Sequence, residues 1–209
     1  MTASAAPSTM ADRSDFRTVT TGGAKLGAVV GVGVLAFALI SSLVPEGGTR
    51  GGLQAAIVLA TGACAAFLPA HWVAPRNGDG IAGTAAVGLC GVVAFTAIDV
   101  ALLRPLNHLV TIYPWTWDRI GGGSTWWYLP IWWMLGTLLA WMGALLVAGS
   151  ASRGAPTFAR TAGPVIVGAV ILAVIARLVW PVIPTPVAAA AGFSVALVAL
   201  ATLGLARKG

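Results

Sequence analysis

Six long apolar runs, separated by short polar breaks, set the pattern of this 209-residue chain. Each run is close to the roughly 20 residues that an α-helix needs to cross about 30 Å of hydrocarbon. The runs are continuously apolar, whereas a lipid-facing barrel strand would alternate. The pattern therefore predicts an all-α fold, a polytopic membrane protein with a bundle of six transmembrane helices. We place the helices at about 26–44, 52–72, 81–103, 129–148, 161–180 and 187–205.

The breaks between the runs have local causes. Pro45–Gly48 follows the first run, Pro75–Gly80 separates the second from the third, and Pro181 and Pro184 enclose a short turn between the last two. Proline lacks the amide hydrogen and clashes with the preceding helical turn, so it is found where helices stop. Outside the transmembrane domain at 26–205, we predict a polar N-terminal tail over 1–25 and a short C-terminus over 206–209. The tail is too long and too acidic before the first run for a signal peptide.

Composition supports the membrane class. The chain is 58% hydrophobic and 9% charged, whereas a soluble domain has about 25% charged residues. The net charge is +6, but the basic residues are scattered over loops and tails, so we predict no nucleic-acid partner. Cys64 and Cys90 fall inside apolar runs without metal-binding or redox spacing, and we expect them to be small buried side chains.

The distribution of Lys and Arg predicts the orientation, because cytoplasmic loops are enriched in both. With the N-terminus inside, eight basic residues are cytoplasmic and four are outside, which favours cytoplasmic termini and an outer, periplasmic loop 104–128 in a bacterial inner membrane. The cytoplasmic set is Arg13, Arg17, Lys25, Arg76, Arg153, Arg160, Arg207 and Lys208, and the outer set is Arg50, Arg104, Arg119 and Arg177.

The stretch from Arg104 to Trp141 is rich in aromatic residues, with seven of the nine Trp and both Tyr. Indole and phenol rings favour the boundary between hydrocarbon and water. We therefore predict a connector that lies against the outer membrane surface and re-enters the bilayer at about Leu129. Its flat rings suit a lipid, quinone or pigment contact, although an aromatic belt requires no such ligand. The predicted interfacial set is Tyr113, Trp115, Trp117, Trp126, Trp127, Tyr128, Trp132 and Trp133.

Asp99 is the one carboxylate within a predicted span. A charge in the membrane is costly and marks a functional-site hypothesis, but Asp99 lies near the outer end of its helix. We predict a structural intramembrane ion pair between Asp99 and Arg104 or Arg177. A proton or ion relay is the alternative, and it would need further titratable groups deeper in the membrane.

The two histidines, His71 and His108, are predicted at opposite membrane surfaces, about 30 Å apart. They therefore cannot share one metal or haem within this subunit. An alternative metal set on the outer face is Asp99, His108 and Asp118. Gly121–Gly123 precedes an aromatic run and does not form the Gly-Lys-Ser/Thr pattern of a phosphate-binding loop, and no Ser/His/Asp order indicates a nucleophile. We predict no catalytic residues and no cofactor held through dedicated ligands.

Small residues recur at four-residue spacing on several predicted helices, which allows helix backbones to approach closely in lipid. The stripes are Gly27/Gly31, Ala140/Ala144/Ala148, Ala169/Ala173 and Ala188/Gly192/Ala196.

One stretch resembles a known family. Asn107–Val110, then Trp115–Trp117, then Leu129–Pro130 leading into a helix are similar to the A subunit of membrane-bound copper methane and ammonia monooxygenases. The resemblance covers about 35 residues and implies a scaffold beside metal-bearing partners. The family tends to have acidic residues in the span before this connector and early in the span after it. In this chain Arg104 and Gly136 occupy roughly those positions, so it departs from the family there.

These observations predict a non-catalytic, accessory subunit of a larger membrane complex, of the respiratory or photosynthetic kind. Its predicted partners are other integral membrane subunits and membrane lipids. Two alternatives stay open, a scaffold subunit like that of the copper monooxygenases and a small-molecule carrier.

Overall fold

The computed structural model describes residues 13–103, 128–151 and 156–206. These residues form six long helices, each apolar enough to cross a membrane, and no strand occurs within them. The predicted all-α, six-helix membrane bundle is confirmed. The helices are α1 (Phe16–Leu43), α2 (Gly48–Val73), α3 (Gly78–Ile98), α4 (Tyr128–Ala151), α5 (Phe158–Val179) and α6 (Thr185–Ala206), and a π-helical turn at Asp99–Leu103 continues α3.

The first helix differs most from its predicted bounds. It begins at Phe16, so residues 16–25, which the sequence assigns to the polar tail, are helical. Two threonines in this stretch fit a helix because their hydroxyls bond back to the preceding turn. Thr20 donates to the Phe16 carbonyl at 2.8 Å, and Thr21 donates to the Arg17 carbonyl at 2.6 Å. The other five helices begin and end within four residues of the predicted positions when the π-helical turn is counted with α3.

Asp15 occupies the position just before α1, with extended backbone angles. The side chain of Thr18, hydrogen-bonded to the Asp15 carboxyl, lowers the pKa of that group. A negative charge here also lies at the positive end of the helix dipole. The polar residues before the apolar run therefore start the helix instead of continuing a tail.

The breaks between helices contain residues that end one helix and cap the start of the next. Ala74 ends α2 in the left-handed conformation at φ 54°, and Pro75 follows it. The Asn77 side chain then accepts a hydrogen bond from the Gly80 amide at 2.9 Å, which caps the start of α3. Thr157 does the same for α5 by accepting from the Arg160 amide at 3.4 Å. These caps supply partners for amides that have no acceptor within the helix.

Helix α2 lies at the centre of the bundle and packs against all five other helices. The most extensive helix pairings are α1 with α3, α5 with α6, and α3 with α4. The main core lies among α2, α4, α5 and α6, whereas α1 packs on the outside of α2 and α3. The core consists of Ala63, Ala66, Phe67, Ala70, Met142, Ala144, Val147, Ala162, Val165, Ala169, Phe193, Ala196, Leu197 and Ala201.

Contacts between helix ends define two ends of the bundle. At one, which we call the Arg13 end, the Arg13 amide donates to the carbonyl of Val73 at 3.0 Å, and Ser14 lies against Gly83. At the other, the Thr185 end, Thr185 lies against Gly51. Successive helices therefore run in alternating directions between the two ends.

Glycines and alanines form the closest helix contacts. A Cβ added at Gly27 of α1 would lie 2.7 Å from the Ala94 Cβ, and one at Gly192 of α6 would lie 2.6 Å from the Ala169 carbonyl oxygen. Gly88 of α3 similarly faces Ala140 of α4. The members of the predicted small-residue stripes therefore include real contact points. Because lipid removes the hydrophobic drive between helices, such close backbone packing contributes much of the stability.

Candidate functional site

Asp99 lies at the Thr185 end, where α3 changes from α-helix to a π-helical turn. Its side chain is buried, with 3% of the residue exposed, and Leu103 at the end of the same turn is also buried. One turn earlier, the Thr96 hydroxyl donates to the Val92 carbonyl at 2.8 Å. Single π turns within helices occur often at functional sites. A buried carboxylate on such a turn is the most chemically distinctive feature of the described chain.

Arg177 lies in the last turn of α5 at the same end of the bundle. Its guanidinium donates to the carbonyls of Pro181 and Ile183, in the turn that leads to α6. These carbonyls follow the end of the helix, where a cation is favoured by the helix dipole. The Arg177 side chain thus holds the α5–α6 turn. An Asp99–Arg177 pair stays a prediction.

Several residues predicted from sequence lie outside the described ranges. Arg104, the other predicted partner of Asp99, is among them, as are His108 and Asp118 of the alternative metal set. The connector aromatics Tyr113, Trp115, Trp117, Trp126 and Trp127 also lie outside, together with the segment 107–117 that carries most of the resemblance to copper monooxygenase subunits. Within the described ranges, no three His, Cys, Asp or Glu residues are grouped as a metal site would require.

The start of α4 carries the described part of the predicted aromatic set. The helix begins at Tyr128, and Trp132 and Trp133 lie in its first turns with 36% and 37% of their surfaces exposed. Both rings therefore reach the surface of the bundle near the Thr185 end. This placement suits a membrane boundary, and the interfacial role of the set stays a prediction.

A polar contact that the sequence did not predict lies at the Arg13 end. The His71 Nε2 atom of α2 is 3.5 Å from the Thr161 hydroxyl of α5. The Phe158 ring lies beside it, with its centroid 5.9 Å from that of His71 and 6.2 Å from that of Phe67. Thr161 also donates to its own helix, at 3.1 Å from the Thr157 carbonyl. The cluster joins the end of α2 to the start of α5, and its residues are typical of a packing contact between two helices.

The buried polar side chains of the described chain are Thr84, Asp99 and Thr161. Thr84 lies in the second turn of α3, where its hydroxyl donates to the Gly80 carbonyl at 2.8 Å, and Thr161 lies in the first turn of α5. All three are therefore near helix ends. Between them, the core is made of Ala, Val, Leu, Phe and Met side chains.

The fold thus defines a class, the six-helix integral membrane proteins with a tightly packed apolar interior. No family model, curated protein or solved structure matches the chain.

Proposed function

We propose that the chain is a non-catalytic integral subunit of a larger membrane complex. The observation that carries the proposal is the position of the buried polar side chains, which lie near the helix ends and leave an apolar, closely packed middle. Substrate and ion pathways through membranes are marked by polar or ionisable groups that face the bundle interior. A carrier would place such groups at mid-membrane. A rigid apolar block is instead suited to hold neighbouring subunits.

The close helix contacts support a structural role. At Gly88, an added Cβ would lie 2.8 Å from the Gly136 carbonyl oxygen, and at Gly27 one would lie 2.9 Å from the Gly91 carbonyl oxygen. Helices that touch through backbone atoms cannot slide or separate without losing many van der Waals contacts at once. Alternating access requires such movement of one part of a bundle against another. The packing therefore favours a fixed scaffold over a moving carrier.

Our first prediction is that the chain co-purifies in mild detergent with other integral subunits in constant ratio. Subunits that bear redox or light-harvesting cofactors are the expected partners, because this chain offers few groups to hold them itself. The measurement is a blue-native gel followed by a denaturing second dimension. Extraction in a harsh detergent, which separates weakly held subunits, is the control. A chain that migrates without any other polypeptide would contradict the proposal.

We further propose that the Arg13 end faces the cytoplasm of a bacterial inner membrane. Arg13, Arg17, Arg76 and Arg160 lie at or near this end, whereas Arg50 and Arg177 lie towards the Thr185 end. The excess of basic residues favours the cytoplasmic side. The connector 104–128 would then lie on the periplasmic face.

The second prediction tests this orientation by cysteine labelling. With Cys64 and Cys90 replaced by alanine, Val182→Cys in the α5–α6 turn should react with a membrane-impermeant maleimide in cells with a permeable outer membrane. Val182 is suitable because it is 88% exposed. The matched variant Asp79→Cys, at the exposed start of α3, should react only after the inner membrane is opened. The reverse labelling pattern would invert the proposed topology.

A further inference from the structure

One exposed face of α1 carries two cations at its start and is aliphatic further along. It lies on the side of the helix away from α2 and α3, which α1 contacts through Gly22, Gly23 and Gly27. Residues spaced by three, four, seven or eight positions share one side of a helix. The exposed residues that share this side, which we call the Lys25 face, are Arg17, Thr21, Ala24, Lys25, Ala28, Val32 and Leu35.

The length of α1 places both cations at the level of the lipid headgroups. The helix has 28 residues, so it is about 42 Å long, which matches the about 40–45 Å of a bilayer with its headgroups. The apolar part from Leu26 to Leu43 is about 27 Å long, close to the roughly 30 Å of the hydrocarbon alone. The polar start of α1, with Arg17 and Lys25, therefore extends through the headgroup region.

The two cations lack an anionic partner in the described part of the protein. Within residues 13–103, 128–151 and 156–206, neither Arg17 nor Lys25 has an ion pair. The carboxyl group of Asp15, the nearest in the sequence among these residues, is hydrogen-bonded to Thr18. The Thr21 hydroxyl, between the two cations on the face, donates to its own helix at the Arg17 carbonyl. The charges of the face are therefore available to a group from outside the chain.

The order of side chains along the face follows the order of groups in a phospholipid. Lys25 lies at the boundary between headgroups and hydrocarbon, and its side chain leans towards the start of the helix, where the headgroups are. Beyond it, Val32 and Leu35 are 68% and 40% exposed at the depth of the acyl chains. Ala24 and Ala28 flank Lys25 with small side chains, so the surface there is shallow.

We propose that the Lys25 face binds an anionic phospholipid. Its phosphate lies between the Lys25 ammonium and the Arg17 guanidinium, which start about 12 Å apart along the helix axis on long, flexible side chains. Its acyl chains lie along Ala28, Val32 and Leu35. A zwitterionic lipid also has a phosphate, but it brings a positive ammonium group to the level of Arg17, and like charges repel. Two cations at successive levels therefore favour a lipid of net negative charge.

Charge and depth together are the reasons to choose a lipid as the occupant. The phosphate is the anionic group that a bilayer itself supplies at the level of Lys25, and basic residues near an anionic leaflet attract such lipids. An acidic side chain of another subunit is the competing occupant, and the experiment below distinguishes it. The inference goes beyond the proposed function, because it does not depend on which subunits the chain joins.

The experiment is native mass spectrometry of the full chain in mild detergent, mixed with equal amounts of phosphatidylglycerol and phosphatidylcholine that have the same acyl chains. The bound lipids are counted at increasing lipid concentration. One basic residue near an anionic lipid surface corresponds to about fivefold in affinity. We therefore expect the unaltered chain to bind phosphatidylglycerol at least about fivefold more tightly than phosphatidylcholine.

Lys25→Gln and Arg17→Gln should each weaken phosphatidylglycerol binding about fivefold and leave phosphatidylcholine binding within about twofold. Lys25→Arg keeps the charge and should keep the preference. Arg76→Gln is the matched control, because it removes the same charge at the Arg13 end, from the turn between α2 and α3. It should change neither affinity by more than about twofold. An unchanged SDS unfolding transition shows that each variant folds.

Three results would overturn the inference. Equal affinity of the unaltered chain for the two lipids would remove the selectivity. Equal losses for Lys25→Gln and Arg76→Gln would show a general attraction to a basic end instead of a site on α1. Loss of a co-purifying polypeptide in Lys25→Gln, with the lipid preference unchanged, would assign the face to an acidic subunit. The lipid measurement is made on the chain itself, so the lipid preference and the co-purification with other subunits can fail separately.

Discussion

Replacement of Gly143 by valine is expected to be the most destabilising single change in the bundle. Gly143 of α4 lies directly against the carbonyl of Ala66 in α2, so that an added Cβ would overlap the carbonyl oxygen. Forcing extra methyl groups into a packed core costs about 1–3 kcal/mol when side chains can shift. Here the obstacle is backbone in the central helix, so α2 and α4 must separate. We expect a loss of at least about 3 kcal/mol in the free energy of unfolding.

The measurement is the unfolding transition in mixed micelles of increasing SDS fraction, followed by tryptophan fluorescence. Gly149→Val in the same helix is the control, because a Cβ at Gly149 meets nothing within 4 Å. It should change the free energy of unfolding by less than about 1 kcal/mol. Similar losses for the two variants would show that the α2–α4 contact is looser than described.

The second large effect is expected for Phe67→Ala. Phe67 is fully buried at 0% exposure, it belongs to the core between α2, α4, α5 and α6, and its ring packs edge-on against Phe158. Removing a buried phenylalanine side chain leaves a cavity and costs about 3–5 kcal/mol. Since much of this cost is lost packing, it applies in lipid as well. We expect about 3 kcal/mol.

Phe16→Ala is the matched control for Phe67→Ala, because Phe16 is 84% exposed at the start of α1. The midpoint of the same SDS titration should shift only slightly for this variant. A second control, Phe67→Leu, keeps most of the volume and should recover about half of the loss. If Phe67→Ala and Phe16→Ala had equal effects, the four-helix core would not be the main source of stability.

The helices themselves could be predicted because the hydrocarbon thickness fixes their length and lipid excludes other backbone structures. The start of α1 could not, because hydropathy counts Thr20 and Thr21 as polar. In the structure their hydroxyls donate hydrogen bonds to carbonyls of the preceding turn, so these polar groups are satisfied within the helix. Local hydrogen bonding of this kind leaves no trace in a hydropathy pattern.

The neighbours of each helix could not be predicted from one sequence. The small-residue stripes name contact points such as Gly27 and Gly192 without naming their partners, which are α3 and α5. Gly136 and Gly143 are not among the predicted stripes, although Gly136 lies directly against Val92 of α3 and Gly143 against Ala66 of α2. A glycine on an alanine-rich helix identifies a helix–helix contact only when the position of the opposing backbone is known.

The candidate site, too, could be predicted only in part from the sequence. Sequence alone placed Asp99 near the end of its helix, but not on a π-helical turn, since that turn depends on how α3 ends against its surroundings. The contact between His71 and Thr161 joins residues 90 positions apart. It follows from the packing of α2 against α5, which no local pattern encodes.

The central place of α2 has a consequence for biosynthesis. This helix leaves the ribosome before α3, α4, α5 and α6, all of which later pack against it. A nascent chain released into the bilayer therefore carries the docking surface for every later helix from an early stage. Each newly inserted helix can pack directly against α2, so the order of translation and the order of assembly coincide.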